Sequence, residues 1–210
     1  KAAADAQAAA EAKAKADANA KTVYIHTLVY NTKTKQSKVT SVLRKIDASL
    51  PDEPVTATTV AKWEKIKNDA LSSAGFNATG VVTTLKAPLD CREAVIRRSP
   101  AAVGEMINRA MMAAAKNAPQ CALFNSGSIR VDDILTGTLT ELDIVRMLPF
   151  GGGFSEVDMK GSLLKRTLET GKTNEGSGGY LQVLNMKHGT DGNWTVNGQP
   201  LDPEKIYRVV

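Results

Sequence analysis

Residues 100–130, PAAVGEMINRAMMAAAKNAPQCALFNSGSIR, carry a helix, a turn and a strand in succession, and the loop that ends the strand decides how the rest is read. Val103, Met106, Ile107, Ala110, Met111 and Ala114 recur at i, i+3, i+4, i+7, i+8 and i+11. That spacing predicts an amphipathic helix over Pro100–Asn117 with its methionines in the core. The short apolar run Cys121–Asn125 predicts a strand that opens into a loop of small residues, Asn125-Ser126-Gly127-Ser128-Ile129-Arg130. Such a loop exposes backbone N–H groups, Asn125 adds a carboxamide, and Arg130 adds a planar, permanently charged fork suited to phosphate or carboxylate. The same residues also suit a plain turn with an arginine in water.

Toward the C-terminus, Thr140 and Asp143 have capping-box spacing, so a short helix is expected over Glu141–Leu148, ending before Pro149. Strands are expected at Ser155–Met159, Tyr180–Leu184, Trp194–Val196 and Tyr207–Val210, with a helix at Ser162–Thr170. Toward the N-terminus come a strand at Thr79–Leu85 and a helix over residues 55–72 that Gly75 stops; on it Val60, Trp63, Ala70 and Leu71 share a face. Thr22–Asn31 and Lys38–Ile46 read as a hairpin with a basic tip at Lys33, Lys35 and Lys38. The expected fold is α+β, a mixed-sheet domain over residues 77–210, preceded by a hairpin segment at 22–50 and a linker helix at 51–76. Residues 1–21 are almost all Ala, Lys and acidic side chains, a solvated helix or linker, or else a docking helix for a protein partner.

Composition narrows the chemistry. No stretch approaches the roughly 20 apolar residues of a membrane-spanning helix. The net charge of +5 is scattered, which suits a small anion better than a nucleic-acid duplex. With only two histidines, His26 and His188, far apart in sequence, no complete metal centre is expected within the chain. Gly171-Lys172-Thr173 imitates the end of a phosphate-binding P-loop, but Arg166 stands where that motif needs its first glycine. No Gly-x-Ser-x-Gly turn is present, and Cys91 and Cys121 lack the surroundings of an activated thiol, although one bridge between them is open. Asn77-Ala78-Thr79 and Asn193-Trp194-Thr195 have the form of glycosylation acceptors without fixing a compartment.

Two further segments carry binding potential. In Leu148-Pro149-Phe150-Gly151-Gly152-Gly153-Phe154 the glycines, Gly152 among them, let a flat ligand approach, and Phe150 either presents its ring to a base or tucks into the core. In Arg97-Arg98-Ser99-Pro100, just before the long helix, Arg97 either helps hold an anion or points into solvent.

These segments, in this order, resemble the C-terminal, substrate-binding domain of the 5′-nucleotidase family, over roughly Ala87 to Val210. The resemblance is carried by Asn125-Ser126-Gly127-Ser128-Ile129-Arg130 against the family's Asn-Gly-Gly-Gly-Ile-Arg, by Pro149-Phe150-Gly151 against its Pro-Phe-Gly, and by Gly179-Tyr180-Leu181-Gln182-Val183 against its Gly-Phe-Leu-Gln-Val. It implies that the hairpin is the remnant of a metallophosphatase domain and that the helix after it links the two domains. It further implies that Asn125 and Arg130 contact a nucleoside or nucleotide and that Phe150 forms one face of an aromatic clamp. The ester would be cleaved by a divalent metal pair, such as zinc, in a catalytic domain outside this chain, so the chain alone would be inactive. The family's Arg-x-Arg-Glu-x-Asn-x-Gly segment survives only in Arg97 and Gly104, which leaves open a second reading as an inactive, nucleotidase-like module of a larger assembly.

Overall fold

The computed structural model describes residues 20–210, so the expectation for residues 1–21 lies, but for its last two positions, outside the described residues. The chain divides into a unit ending at Lys67 and a unit running Asn68–Val210.

In the first unit, β1 (Thr22–Asn31) and β2 (Gln36–Lys45) pair antiparallel with Ile25 opposite Val42 and Leu28 opposite Val39. The second strand starts two residues earlier than its sequence pattern suggests because Asn31 closes the turn. Its Oδ1 accepts the backbone N–H groups of Lys33 and Thr34, each at 3.0 Å, and Lys35 takes a left-handed φ of 56°. Side chains alternate faces along a strand, so Val23, Ile25, Val29 and Val42 share one face and Leu28, Tyr30 and Val39 the other. All of them are exposed.

Helix α1 (Pro54–Ser73) runs through the division between the units. Pro54 suits the first helical turn, where its missing N–H costs nothing. The carboxylate of Glu53 accepts the N–H groups of Val55 and Thr56 at 3.1 and 2.7 Å, and these bonds hold it below its ordinary pKa. At the other end Phe76 N–H bonds to Leu71 O and Gly75 N–H to Ser72 O, with Gly75 at φ +85°, which is a Schellman stop. Val60 and Trp63 on the expected apolar face are exposed, and no residue of α1 is buried.

The second unit is organised by a mixed sheet. β8 (Val157–Lys160) and β13 (Ile206–Val209) pair antiparallel, as do β5 (Ala122–Asn125) and β9 (Leu181–Leu184). A parallel bridge between Cys121 and Val209 joins the two pairs, with Leu123 N–H donating to Val210 O at 2.9 Å. Alternation along β5 then builds two cores. Leu123 and its partner Val183 face a cluster holding Leu164, Leu168, Tyr207 and Val209, while Phe124 faces Ile96, Val103, Ile107 and Ile129. Helix α5 (Gly161–Thr173) supplies the leucines of the first cluster, and α3 (Ala102–Ala114) supplies Val103 and Ile107 of the second, so the two helices cover opposite faces.

Helix α3 is shorter than its periodicity suggests. After Ala114 the chain turns extended, and Lys116 and Asn117 give their N–H groups to the Glu156 carboxylate at 2.8 and 2.9 Å. With Glu156 so engaged, the strand expected from Ser155 begins only at Val157. Helix α4 (Glu141–Met147) starts on the expected capping box: Thr140 Oγ1 accepts from Asp143 N–H, and Asp143 Oδ2 accepts from Thr140 N–H at 2.9 Å.

Short elements complete the unit: β3 (Val81–Thr84) pairs with β7 (Thr138–Thr140), β4 (Leu89–Asp90) with β6 (Ile134–Leu135), and β10 (Met186–His188), β11 (Trp194–Val196) and β12 (Gln199–Pro200) form a meander. A four-residue helix, α2, spans Glu93–Ile96. Cys91 and Cys121 are free, buried and in different clusters, and burial pushes both thiols up to about 11. No described helix is long and apolar enough to cross a membrane.

Candidate functional site

The strand-end loop and the glycine-rich loop meet beside a hollow of about 370 Å³. Its floor comes from Ile107 and Met111 of α3, Phe124 of β5 and Leu148, and its rim from Ser128 and the run Phe150–Phe154. Among the described residues, nothing lining it ionises near neutrality. The lining side chains are largely apolar.

Phe150 and Gly152, both singled out in the sequence, line this hollow. Phe150 is 68% exposed, so its ring is presented rather than packed away. Gly151 and Gly152 have φ of +62° and +91°, backbone that L residues rarely adopt, and this turns the chain between the two phenylalanines of the rim. Arg130 stands next to them: its guanidinium carbon lies 5.7 Å from the centroid of the Phe150 ring, a cation–π contact. The two loops are fastened by a backbone bond from Arg130 N–H to Met147 O at 2.9 Å. Arg130 is exposed, its Nη1 reaches Gly127 O at 3.3 Å, and it has no carboxylate partner among the described residues. Its charge remains available to an anion.

Asn125 ends β5, and its Oδ1 accepts the Ser128 hydroxyl at 3.0 Å. Gly127 serves packing. Its N–H donates to Gly178 O at 2.8 Å, and any side chain there would bring a Cβ within 2.9 Å of Gly178 Cα. Its neighbour Ser128, in the 3₁₀ turn Ser126–Ser128, is the loop residue that lines the hollow.

Arg97 stands apart from the hollow's lining. Its guanidinium pairs with Glu93 one turn earlier on α2, its Nε is buried without a partner among the described residues, and its carbonyl accepts Gly176 N–H at 2.7 Å. Its charge is already committed.

Residue types alone did not mark Phe154, Met111 or Ser128 as lining, nor Gln182 as a support. Gln182, fully buried on β9, sends Nε2 to Ile96 O at 2.6 Å and Ser99 O at 2.8 Å, and its Oε1 accepts Ala101 N–H at 2.9 Å. It therefore holds the segment that carries Arg97 and opens α3. The signal was a lone amide inside an apolar strand, since a buried amide needs partners.

Among the described residues no group of three or more His, Cys, Asp or Glu side chains could hold a metal ion. A di-metal centre does not fit these residues.

A family profile described as "5′-nucleotidase, C-terminal domain" matches residues 79–210. Protein UshA of Yersinia enterocolitica is 36% identical over 93 residues, covering 42% of this chain and 17% of that protein. The 5′-nucleotidase of Homo sapiens is 29% identical over 145 residues, covering 66% of this chain and 25% of that protein. Among solved structures, a 5′-nucleotidase precursor from Thermus thermophilus superposes with a TM-score of 0.71 at 25% identity, over 90% of this chain and 39% of that one. The chain thus spans a quarter or less of the length of these two curated relatives.

Proposed function

The chain belongs to the 5′-nucleotidase C-terminal domain family, and from that premise we propose that residues 77–210 bind the nucleoside part of a nucleotide while a metal-bearing domain outside these residues cleaves its phosphate ester. The observation that carries this reading is the Arg130–Phe150 pair beside the hollow. A guanidinium over one face of the ring leaves the other face for a base, and stacking on an aromatic side chain is worth about 1–3 kcal/mol. Arg130, without a carboxylate of its own, then meets the anionic end of the same ligand. Asn125 and Gly152 stand on the two loops that flank the base, and Gly127 sets the first of them by its contact with Gly178. Arg97 would act at one remove, through the segment it anchors.

The divalent metal pair belongs, on this reading, to the domain that precedes the hairpin. The hairpin at 22–50 supports such a neighbour because each of its faces carries exposed large apolar side chains, Ile25, Val29 and Val42 on one and Leu28, Tyr30 and Val39 on the other. Residues 51–76 would then link the two domains. Binding energy spent on the nucleoside orients the scissile phosphate at the metals, which is how a domain without catalytic groups raises turnover. An inactive structural module is not favoured by the family match.

Release of phosphate from AMP by the longer, metal-loaded protein tests the proposal. Phe150→Ala and Arg130→Ala are each expected to lower kcat/KM about tenfold or more. Unchanged kcat/KM in both variants would remove the pair from the site.

A further inference from the structure

Phe154 is a second ring on the rim of the hollow, and the Arg130–Phe150 pair leaves it without a role. It is 43% exposed, it belongs to neither core cluster, and it does not pack on the Phe150 ring. Between the two rings runs Gly151-Gly152-Gly153, where an added Cβ would meet no atom within 4 Å at any position. From Gly152 to Ser155 no residue makes a hydrogen bond to another described residue. The two ends of the stretch, by contrast, are held. Leu148 N–H donates to Ile144 O at 2.9 Å, Met147 O accepts from Arg130 N–H, and the Glu156 carboxylate accepts the N–H groups of Lys116 and Asn117. A glycine run without hydrogen bonds or packed neighbours moves at little cost, while its anchored ends stay in place.

We propose that Phe150–Phe154 is a strap that closes over the hollow once a flat ligand has entered, turning about its glycines to bring the Phe154 ring onto that ligand. Two opposed effects set its position. With the hollow empty, closing would cost the glycines their backbone freedom and give the Phe154 ring little to cover, so the strap stays open. A ring seated in the hollow supplies an apolar surface, and burying Phe154 against it drives the closure. Contact with Phe154 then forms after entry, so it slows departure of the ligand more than it speeds arrival. This rests on the nucleoside reading of the hollow and adds to it a moving part and a further contact residue.

The full 210-residue chain titrated with adenosine tests it by relaxation and by kinetics. Backbone amide relaxation should give order parameters below about 0.6 at Gly151–Gly153 in the free protein, rising toward about 0.85 at saturation. Glycines already ordered in the free protein, or no rise at saturation, overturn the closure. Phe154→Ala should weaken adenosine binding about tenfold, the loss of one aromatic contact, through faster dissociation with the association rate unchanged within about twofold. Its urea midpoint should stay where it is, since the ring packs in neither core, and Phe154→Tyr, which keeps a ring, should restore the affinity. An unchanged affinity in Phe154→Ala, a loss confined to association, or a lowered urea midpoint overturns the role of Phe154. If Phe150→Ala abolishes binding while Phe154→Ala is inert and the glycines do not respond to ligand, only the strap falls. If wild-type protein binds no adenosine, the nucleoside reading falls with it.

Discussion

Gly104 sits in the interior of α3, where alanine would ordinarily be better by about 1 kcal/mol because glycine gives up more backbone freedom on folding. Gly104→Ala is nevertheless expected to destabilise. A Cβ at this position would overlap Gln182 Oε1 and come within 2.6 Å of Gln182 Cβ and Cγ. Those inner atoms are fixed by β9 and cannot swing aside as a side-chain tip can. Moving them breaks up to three hydrogen bonds, from Nε2 to Ile96 O and Ser99 O and from Ala101 N–H to Oε1. At about 1 kcal/mol net each, and more where a buried group is left unpaired, the loss is roughly 3–4 kcal/mol. Set against the helical gain, Gly104→Ala should cost about 2–3 kcal/mol, read as a lower urea midpoint with an unchanged slope. The double variant Gly104→Ala/Gln182→Ala has already lost the amide and should fall well short of the sum of its two single variants. A neutral or stabilising Gly104→Ala, or strict additivity, would refute the contact between Gly104 and Gln182 as the reason for glycine there.

Thr140→Ala removes one half of the α4 capping box and should cost about 1 kcal/mol in the same urea assay; no change would mean that the cap is replaced by water. Burial raises the Cys91 and Cys121 thiols to about 11, with Asp90 and Asp133 adding to the rise at Cys91. Neither should react with a thiol reagent at pH 8 until the chain is unfolded, and fast native labelling would contradict that burial. Since the unfolded thiols ionise first, this contribution to stability is intact below about pH 8.5 and declines as pH rises toward 11. Asp158 is held below the ordinary carboxylate range chiefly by its hydrogen bonds to Arg208, at 2.7 and 2.8 Å, which tie β8 to β13. Its stabilisation is present above about pH 4 and is lost as pH falls through the lowered value. Asp158→Asn should therefore lose less stability than wild type between pH 5 and pH 2, and equal losses would contradict the pairing.

Helix α3 was legible because six apolar positions keep the helical period, and α4 because Thr140 and Asp143 announce a cap by spacing alone. The two-residue strands β4, β6 and β12 were not legible, since a pair of residues has no period and their pairing is set by distant chain. The rim of the hollow was legible in Phe150 and Gly152, whose residue types are unusual in sequence. Its floor was not: Ile107 and Met111 read as core because one helix face serves both the core and the hollow. Arg97 is instructive in the other direction. Glu93 lies four residues before it, a spacing that already predicts an intrahelical ion pair and so a guanidinium with less to offer a ligand.

The nucleoside reading is tested most directly by nuclear Overhauser contacts between adenosine and the labelled chain. The protons of the base should show contacts to the Phe150 ring, accompanied by a saturable shift of the Arg130 Nε resonance, both abolished in Phe150→Ala. Saturable binding with contacts only to residues away from Phe150 and Arg130, or no saturable binding at all, would contradict it.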